Sequence, residues 1–477
     1  MNAKLILCLI VFVPMAGAFI LPLVSSISKK FRNITAILLV LTSVILSFIA
    51  LPSSITTPLQ FNIDFPMNFN FGFLGDGLAV FMALCSAGIG LIIIYYSWDY
   101  IDHYKNQNEY YLMVLLFLGS MMGIVYTTNL IFLYIFWEIS AICCWRLIGF
   151  FRDKEIVKRA DKAFLITVFG ALLMLVGFIL IYNETGTFDL IELRGTKISN
   201  VAMILILAGI FSKSATLPIH TWLPDAGVAP SPVTSLLHAA VLVKIGVYVY
   251  ARLFLITFEI DDIWHTIIPI IVGASALVSA GAALIENDIK RIIAYSTVSQ
   301  IAFIFLGLST GTIIGAAGAI LYILMHGLAK GGLFLCAGII EQKTHTKDLR
   351  KLGGLIYTMP ITAISFIICA LSVMGIPPLG GFFSKMMVIN GAVLANEPWI
   401  AVIFIVGAIL TAIYMLRLFI KIFFGKNKYP EINESGSFTM VSSVVALAVL
   451  SILGGILIYY PADFVNSIVG QLAMLSF

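Results

Sequence analysis

Between Gly209 and Arg252 the chain reads GIFSKSATLPIHTWLPDAGVAPSPVTSLLHAAVLVKIGVYVYAR. Lys213, His238 and Lys244 stand here in runs otherwise apolar enough to lie in a bilayer. Between them Pro218, Pro224, Pro230 and Pro232 make a break that no continuous helix could contain. A lysine at the centre of a bilayer costs at least about 2.5–3.5 kcal/mol, so two of them beside a broken helix call for a use. The stretch reads as half of an ion path.

Composition agrees with a membrane setting. Of 477 residues, 61% are hydrophobic and 11% charged, where soluble domains carry roughly 25% charged residues. The net charge of +4 follows membrane topology and implies no nucleic-acid partner. Cys8, Cys85, Cys143, Cys144, Cys336 and Cys369 show neither C-x-x-C nor Cys/His ligand spacing and fall in apolar segments. They read as small core residues, so neither metal nor cofactor is expected in this chain.

Each spanning helix needs about 20 residues. Spans are expected near Leu5–Leu23 (a retained helix, not a cleaved leader), Ile34–Ala50, Leu78–Tyr96, Tyr111–Tyr126, Leu130–Phe150 and Phe164–Tyr182. A broken segment near Val201–Leu217 follows, then Val233–Phe254, Ile267–Ile285, Ile289–Leu308 and Ile313–Ile340. A second broken segment, Ile361–Leu394, precedes Ile400–Phe424 and Met440–Tyr460. The Phe61–Gly75 connector reads as a β-hairpin outside the membrane.

Loop charge tests this division into fourteen spans. One face receives Lys29, Lys30, Arg32, Lys105, Arg152, Lys154, Lys158, Arg159, Lys162, Lys290 and Arg291. It also takes Lys343, Lys347, Arg350, Lys351, Lys421, Lys426 and Lys428, against only Lys4, Arg194, Lys197 and Arg252 on the other. The positive-inside rule makes the rich face cytoplasmic and leaves both termini outside a cell membrane.

The break at Pro218 beside Lys213 has a counterpart at Gly375, Pro377 and Pro378, upstream of Lys385. Paired breaks in corresponding places point to inverted repeats with a midplane site. The chain is therefore expected to be one all-α membrane domain. Residues 1–110 would hold the first helices and the hairpin, and 111–255 a five-helix repeat. Its inverted partner would be 264–425, and 438–477 a C-terminal helix.

Glu138, Lys213, His238, Lys244, His326, Lys330 and Lys385 all fall inside spans, with His326 and Lys330 on one helical face. Burial disfavours a charged amine and a nearby Glu138 favours it, so such lysines can relay protons without a cofactor. Plainer roles exist. Glu138 could be a structural ion-pair partner, Lys213 and Lys385 could snorkel, and His238 could be a bonded core histidine. Lys244 could neutralise a helix C-terminus, Asp225 reads as a turn or cap, and His103, His265 and His345 as solvated loop residues.

With these residues in view, the chain resembles the antiporter-like membrane subunits of respiratory complex I, of multisubunit cation/proton antiporters and of energy-converting membrane hydrogenases. The resemblance rests on YSWDY (96–100), NLIFLYIFWEIS (129–140) with LIGF (147–150), FSKSATLPIHTWLPDA (211–226) and PSPVTSLLHAAVLVKIGVY (230–248). NDIKRIIAYSTVSQIAFIFLGL (287–308), HGLAKGGLFL (326–335) and GIPPLGGFFSK (375–385) complete it. It implies fourteen helices with two inverted five-helix repeats, a Glu138–Lys213 ion pair in the first half-channel, and Lys244 and His238 as a bridge. His326 and Lys330 would continue the path to a terminal site at Lys385.

The chain looks most like the large subunit-5 type. It departs from it at Thr167–Ala171, where an arginine and an aspartate are usual, and at Lys244, where a neutral residue is usual. Its end near Phe477 leaves no room for the long lateral helix of the complex I version, so a smaller assembly is expected. The leading expectation is a non-catalytic proton- or sodium-translocating subunit, driven by redox chemistry in a peripheral arm that carries iron–sulfur clusters and possibly a NiFe centre. Other membrane subunits would surround it. The alternative is a subunit of a gradient-driven, non-redox Na+/H+ antiporter. A catalytic oxidoreductase subunit lacks support, because no nucleotide-binding G-x-G-x-x-G loop or cysteine ligand set is present.

Overall fold

In hydrocarbon the backbone must satisfy its own polar groups, and long apolar runs do so as helices. The computed structural model, which describes residues 2–65, 69–434 and 438–475, is built in this way. Among the described residues twelve helices are long and apolar enough to span a membrane. They are α1 (Ala3–Ile27), α2 (Lys29–Ala50), α3 (Gly77–Tyr100), α4 (Gln107–Tyr126), α5 (Leu130–Ile148) and α6 (Lys154–Thr185), then α8 (Ser231–Thr257), α9 (Trp264–Ile285), α10 (Ile289–Ser309), α11 (Ile313–Thr344), α13 (Pro398–Phe423) and α14 (Phe438–Ile456). Two interrupted segments bring the crossings to the expected fourteen. One is α7a (Asn200–Ser214) with the short α7b (Trp222–Asp225), the other α12a (Pro360–Met374) with α12b (Gly380–Leu394).

The connector after α2 forms the expected hairpin, β1 (Leu59–Phe65) against β2 (Phe69–Gly75), with Phe61 opposite Phe73. The end of the chain differs from expectation. In place of one helix to Tyr460, α14 stops where Gly455 lies against the Pro378 carbonyl. A further helix, α15 (Tyr459–Leu475), then packs Phe464 on Phe81 and Gln471 on the Ile55 carbonyl. The apolar signal did not separate the two because Leu457 and Ile458 continue the run between them.

Burial divides the helices into two sets. In α8, α10 and α11 94% of the most apolar stretch is buried, against 39% in α6 and α13. The first set is the interior and the second turns apolar side chains such as Phe169 and Ile409 to lipid. Ion pairs gather at the two rims. Lys162–Asp225–Arg291–Glu286, Lys290–Glu341 and Lys347–Asp288 lie on the basic rim, and Arg252–Asp76 and Lys197–Asp261 on the opposite one. Asp225 is thus an ion-pair hub holding α6 and α10 to α7b, rather than a turn or cap.

Both interruptions are closed by side chains. At the first, Ala215 turns left-handed (φ 53°) and the Trp222 indole reaches back to the Ser212 carbonyl at 2.9 Å. At the second, Gly375 supplies φ +82° and Lys385 Nζ reaches back to the Val373 carbonyl at 2.7 Å. Such donors replace the ladder bonds that a broken helix loses. Gly381 lets the two halves of α12 approach, since a Cβ there would stand 1.9 Å from the Ser372 carbonyl oxygen.

Gly381→Ala should therefore cost about 1–3 kcal/mol by overpacking and lower the thermal midpoint of the purified complex. Gly88→Ala, where a Cβ meets nothing within 4 Å, should leave it unchanged. On the basic rim, burial pushes the Glu286 carboxyl up, but bonds from Arg291 and from the Asn287 and Asp288 amides outweigh it and hold it below the usual carboxylate range. A carboxyl depressed by folding stabilises above its unfolded value and loses that contribution as pH falls through the folded one. Glu286→Gln should thus cost roughly 1 kcal/mol at neutral pH, a deficit that closes as pH falls below about 4. A deficit of equal size at both ends of the pH series would contradict the assignment.

Candidate functional site

The interior helices collect the polar residues named above. Lys213 ends α7a just before the first break and is fully buried (0% exposed). Its amine donates to the Trp137 carbonyl at 3.2 Å and sits over the Trp137 ring, 5.1 Å from the centroid. Glu138, the next residue on α5, is half-buried, and its Oε1 has no hydrogen-bond partner among the described residues. Glu138 and Lys213 are near enough for their charges to act on each other, yet they share no hydrogen bond or ion pair among the described contacts. The reason is local: Trp137 takes the amine, while Glu138 lies on the α5 face that carries the exposed Ile135 (43%) and Ile142 (48%).

His238 lies in a π-helical stretch of α8, Leu236–Ala240, where Val241 N bonds the Leu236 carbonyl five residues back. Wide turns of this kind recur at functional sites. The imidazole stacks on Phe334 at 4.4 Å, and neither ring nitrogen has a hydrogen-bond partner among the described residues. Lys244 folds back onto the Ala239 carbonyl inside the same bulge, and its amine stands beside Gly327 of α11. The carbonyl it reaches is inside a continuing helix rather than at a helix C-terminus.

On α11, one turn apart, His326 has no partner for either nitrogen among the described residues and Lys330 donates to the Ile293 carbonyl at 3.0 Å and to Ser296 Oγ at 2.6 Å. Lys385 is 4% exposed and lies 4.6 Å from the Phe303 ring centroid and 5.6 Å from that of Tyr322. With Gly375, Phe382 and Asn390 it lines a cavity of about 700 Å³. Neither Lys213 nor Lys385 snorkels.

Pro218, Gly375, Pro377 and Pro378 sit in the two interruptions, as hinge residues should. Both Leu217–Pro218 and Pro377–Pro378 are cis. The structure thus buries Lys244, His326, Lys330 and Lys385 with His238 in one row across α8, α11 and α12b, near enough for their charges to act on one another. Lys213 lies apart from them against Trp137 of α5, and Glu138 is the next residue on that helix.

The electrostatics of the row are one-sided. Its amines are held by carbonyl oxygens, a serine hydroxyl and ring faces, and none of them touches a carboxylate among the described contacts. A buried cation is tolerated when hydrogen-bonded, but with no buried counter-ion a charge on one amine works against a charge on its neighbour. Such a row is suited to hold few protons and to shift them.

Several participants escaped the sequence reading. Trp137, Ser296 and Tyr322 contact the lysines, Gln300, Thr411 and Tyr414 bond Ser296 or Tyr322 or one another, and Trp222 closes the first break. Their signal was faint but present: Tyr322, His326 and Lys330 recur at i+4, as do Ser296 and Gln300. His220, in the first break, was passed over, and its Nδ1 is buried without a partner. His265 is not a solvated loop residue, for its Nδ1 pairs with the Ser309 carbonyl at 2.8 Å. At the basic rim a cavity of about 500 Å³ is lined by Tyr100, His103, Lys290 and Glu341, with Ser231 bonded to Glu341 behind it.

Fourteen crossings, two interrupted helices and a row of buried lysines define an antiporter-like membrane subunit. Residues 127–411 match the family described as NADH:quinone oxidoreductase/Mrp antiporter, transmembrane, and residues 61–111 match the complex I chain 5 N-terminus. The chain belongs to this family.

Among curated proteins it is similar to Na(+)/H(+) antiporter subunit A1 of Staphylococcus haemolyticus, at 35% identity over 96% of this chain and 61% of that one. The subunit A1 of Staphylococcus aureus is 32% identical over 96% and 62%. The chain therefore spans about three fifths of the length of these relatives. Its fold is shared with a chain of the Mrp complex from a Dietzia species, at TM-score 0.89 and 22% identity, covering 98% of this chain and 97% of that one. It is shared equally with a chain of the membrane-bound sulfane sulfur reductase, an archaeal respiratory complex, at TM-score 0.89 and 23% identity, covering 98% of each.

Proposed function

We propose that this chain is the proton-translocating membrane subunit of a multisubunit cation/proton antiporter. Protons move along Lys213, Lys244, His238, His326, Lys330 and Lys385, with Glu138 setting the charge at the Lys213 end. The carrying observation is the row itself: buried amines and unbonded imidazoles held by neutral oxygens, beside two interrupted helices. Nitrogen bases of this kind hold protons, whereas a sodium ion would want several oxygen ligands. The exchanged cation is then carried by other subunits. Because no carboxylate contacts Lys244, Lys330 or Lys385 among the described contacts, a proton arriving at one favours departure from the next, and movement of a charge near Glu138, the carboxylate that acts on Lys213, starts the sequence.

The subunit A1 relatives favour the gradient-driven complex over the redox-driven one that the sequence put first. The second reading, a redox arm with iron–sulfur clusters or a NiFe centre in partner subunits, is favoured by the likeness to the sulfane sulfur reductase chain. Either way the half-buried Glu138 on a lipid-side face calls for cover by a neighbouring membrane subunit. By the positive-inside rule the rim carrying Lys162, Arg291 and Lys347 is cytoplasmic. Lys4, over the Phe61 ring, and Gln471, against Ile55, then lie outside, as both ends of the described chain.

In proteoliposomes holding the whole complex, Lys213→Ala and Glu138→Ala should each cut cation-driven proton movement by roughly a hundredfold while subunits still copurify. Wild-type transport in either variant would overturn the relay. Native complex purified in mild detergent should contain small membrane subunits without iron or nickel. Copurifying iron with acid-labile sulfide would transfer the assignment to the redox-driven reading.

A further inference from the structure

Lys330 and Lys385 share no direct contact, yet a continuous set of buried side chains runs from one to the other. Lys330 donates to Ser296 Oγ at 2.6 Å. The Tyr414 hydroxyl lies 2.9 Å from Ser296 Oγ and 3.2 Å from Thr411 Oγ1, and is placed to donate to either. Gln300 Nε2 donates to Thr411 Oγ1 at 3.1 Å, and its Oε1 accepts from the Tyr322 hydroxyl at 2.6 Å. The Tyr322 ring then faces Lys385 Nζ at 5.6 Å. Ser296, Gln300, Tyr322, Thr411 and Tyr414 come from α10, α11 and α13, and all are buried.

We infer that Ser296, Tyr414, Thr411, Gln300 and Tyr322 couple Lys330 to Lys385, with the Tyr414 hydroxyl as a two-position switch and the Gln300 amide as a barrier to direct proton passage. This inference rests on the relay reading of the two lysines. A phenol has one proton and Tyr414 has two acceptors, so its orientation must choose. When Lys330 is charged, its amine donates to Ser296, whose own proton turns to Tyr414, and Tyr414 donates to Thr411. When Lys330 is neutral its lone pair accepts from Ser296, and Tyr414 donates to Ser296 instead. No bond is broken in either direction; only hydroxyl protons rotate.

Beyond Thr411 the relay changes character. An amide has separate donor and acceptor ends and does not pass a proton as a hydroxyl does. Gln300 fixes Tyr322 and Thr411 relative to each other while stopping a proton from running straight from Lys330 to Lys385. A pump needs both properties at such a junction, because a continuous hydroxyl wire would short-circuit the two halves.

The test is transport by the reconstituted whole complex. Tyr414→Phe and Thr411→Val keep shape and remove one hydroxyl each. Each should lower coupled transport about tenfold, and the double variant should be no slower than the slower single, because both act on one link. Gln300→Glu puts a protonatable group at the barrier and should raise passive proton leak while lowering the cations moved per proton. The link is overturned if Tyr414→Phe transports at the wild-type rate, if the two losses multiply, or if Gln300→Glu stays tight. Lys330→Ala separates the levels: a dead Lys330→Ala beside a normal Tyr414→Phe removes the link alone, whereas a normal Lys330→Ala removes the relay reading.

Discussion

A carbonyl freed from its helix inside hydrocarbon must find a donor, and this chain answers that demand twice. At the first interruption the donor is the neutral indole of Trp222, reaching back to Ser212. At the second it is the amine of Lys385, reaching back to Val373. The first choice frees Lys213, which stands before the break, to bond the neighbouring helix at Trp137. In the second the lysine itself spans the break, where the carbonyl end of α12a favours a cation. The two interruptions thus solve one problem with opposite allocations of charge.

That allocation explains why ion pairs stay at the rims. A buried carboxylate beside Lys330 or Lys385 would fix a proton in a deep well, since breaking such a pair leaves an uncompensated charge. Carbonyls, a serine and ring faces support a cation less strongly and leave it free to be lost. Asp76 with Arg252, and Asp225 with Lys162 and Arg291, instead fasten helices to one another where no proton need pass. Strong pairs sit at the rims, and the buried amines have only weaker polar contacts.

How much of this was legible beforehand follows from range. Helices, breaks and buried bases are local properties: hydropathy over twenty residues, prolines, a lysine where none should be. Fourteen crossings, the hairpin at Phe61–Gly75 and the two interruptions were readable for that reason. The π-helical turn around His238 was not, because LLHAA carries no breaker and the wide turn sits where α8 packs against α11 and α3, which no local pattern records. Nor was the partnership of Lys213 with Trp137 rather than Glu138, for adjacent residues on one helix point in different directions and only the neighbouring helix decides which is met. The second helix at the C-terminal end, α15, failed for a third reason, since an apolar run does not record a bend.

The buried row is also why glycines crowd α11 and α12b. Bases on adjacent helices influence one another only if the helices approach closely, and each close approach here is made by a residue without a side chain. Gly327 leaves room for the Lys244 amine, since a Cβ there would stand 3.2 Å from Nζ. Gly380 lies against Met325 and Gly381 against the Ser372 carbonyl, so α12b is pressed onto α11 and α12a at the level of Lys385. Larger residues would separate the helices, lengthen the gaps between amines and weaken the mutual repulsion of any charges they carry. Packing and electrostatics are therefore one constraint: the spacing that satisfies the broken backbone also sets how strongly neighbouring charges feel each other.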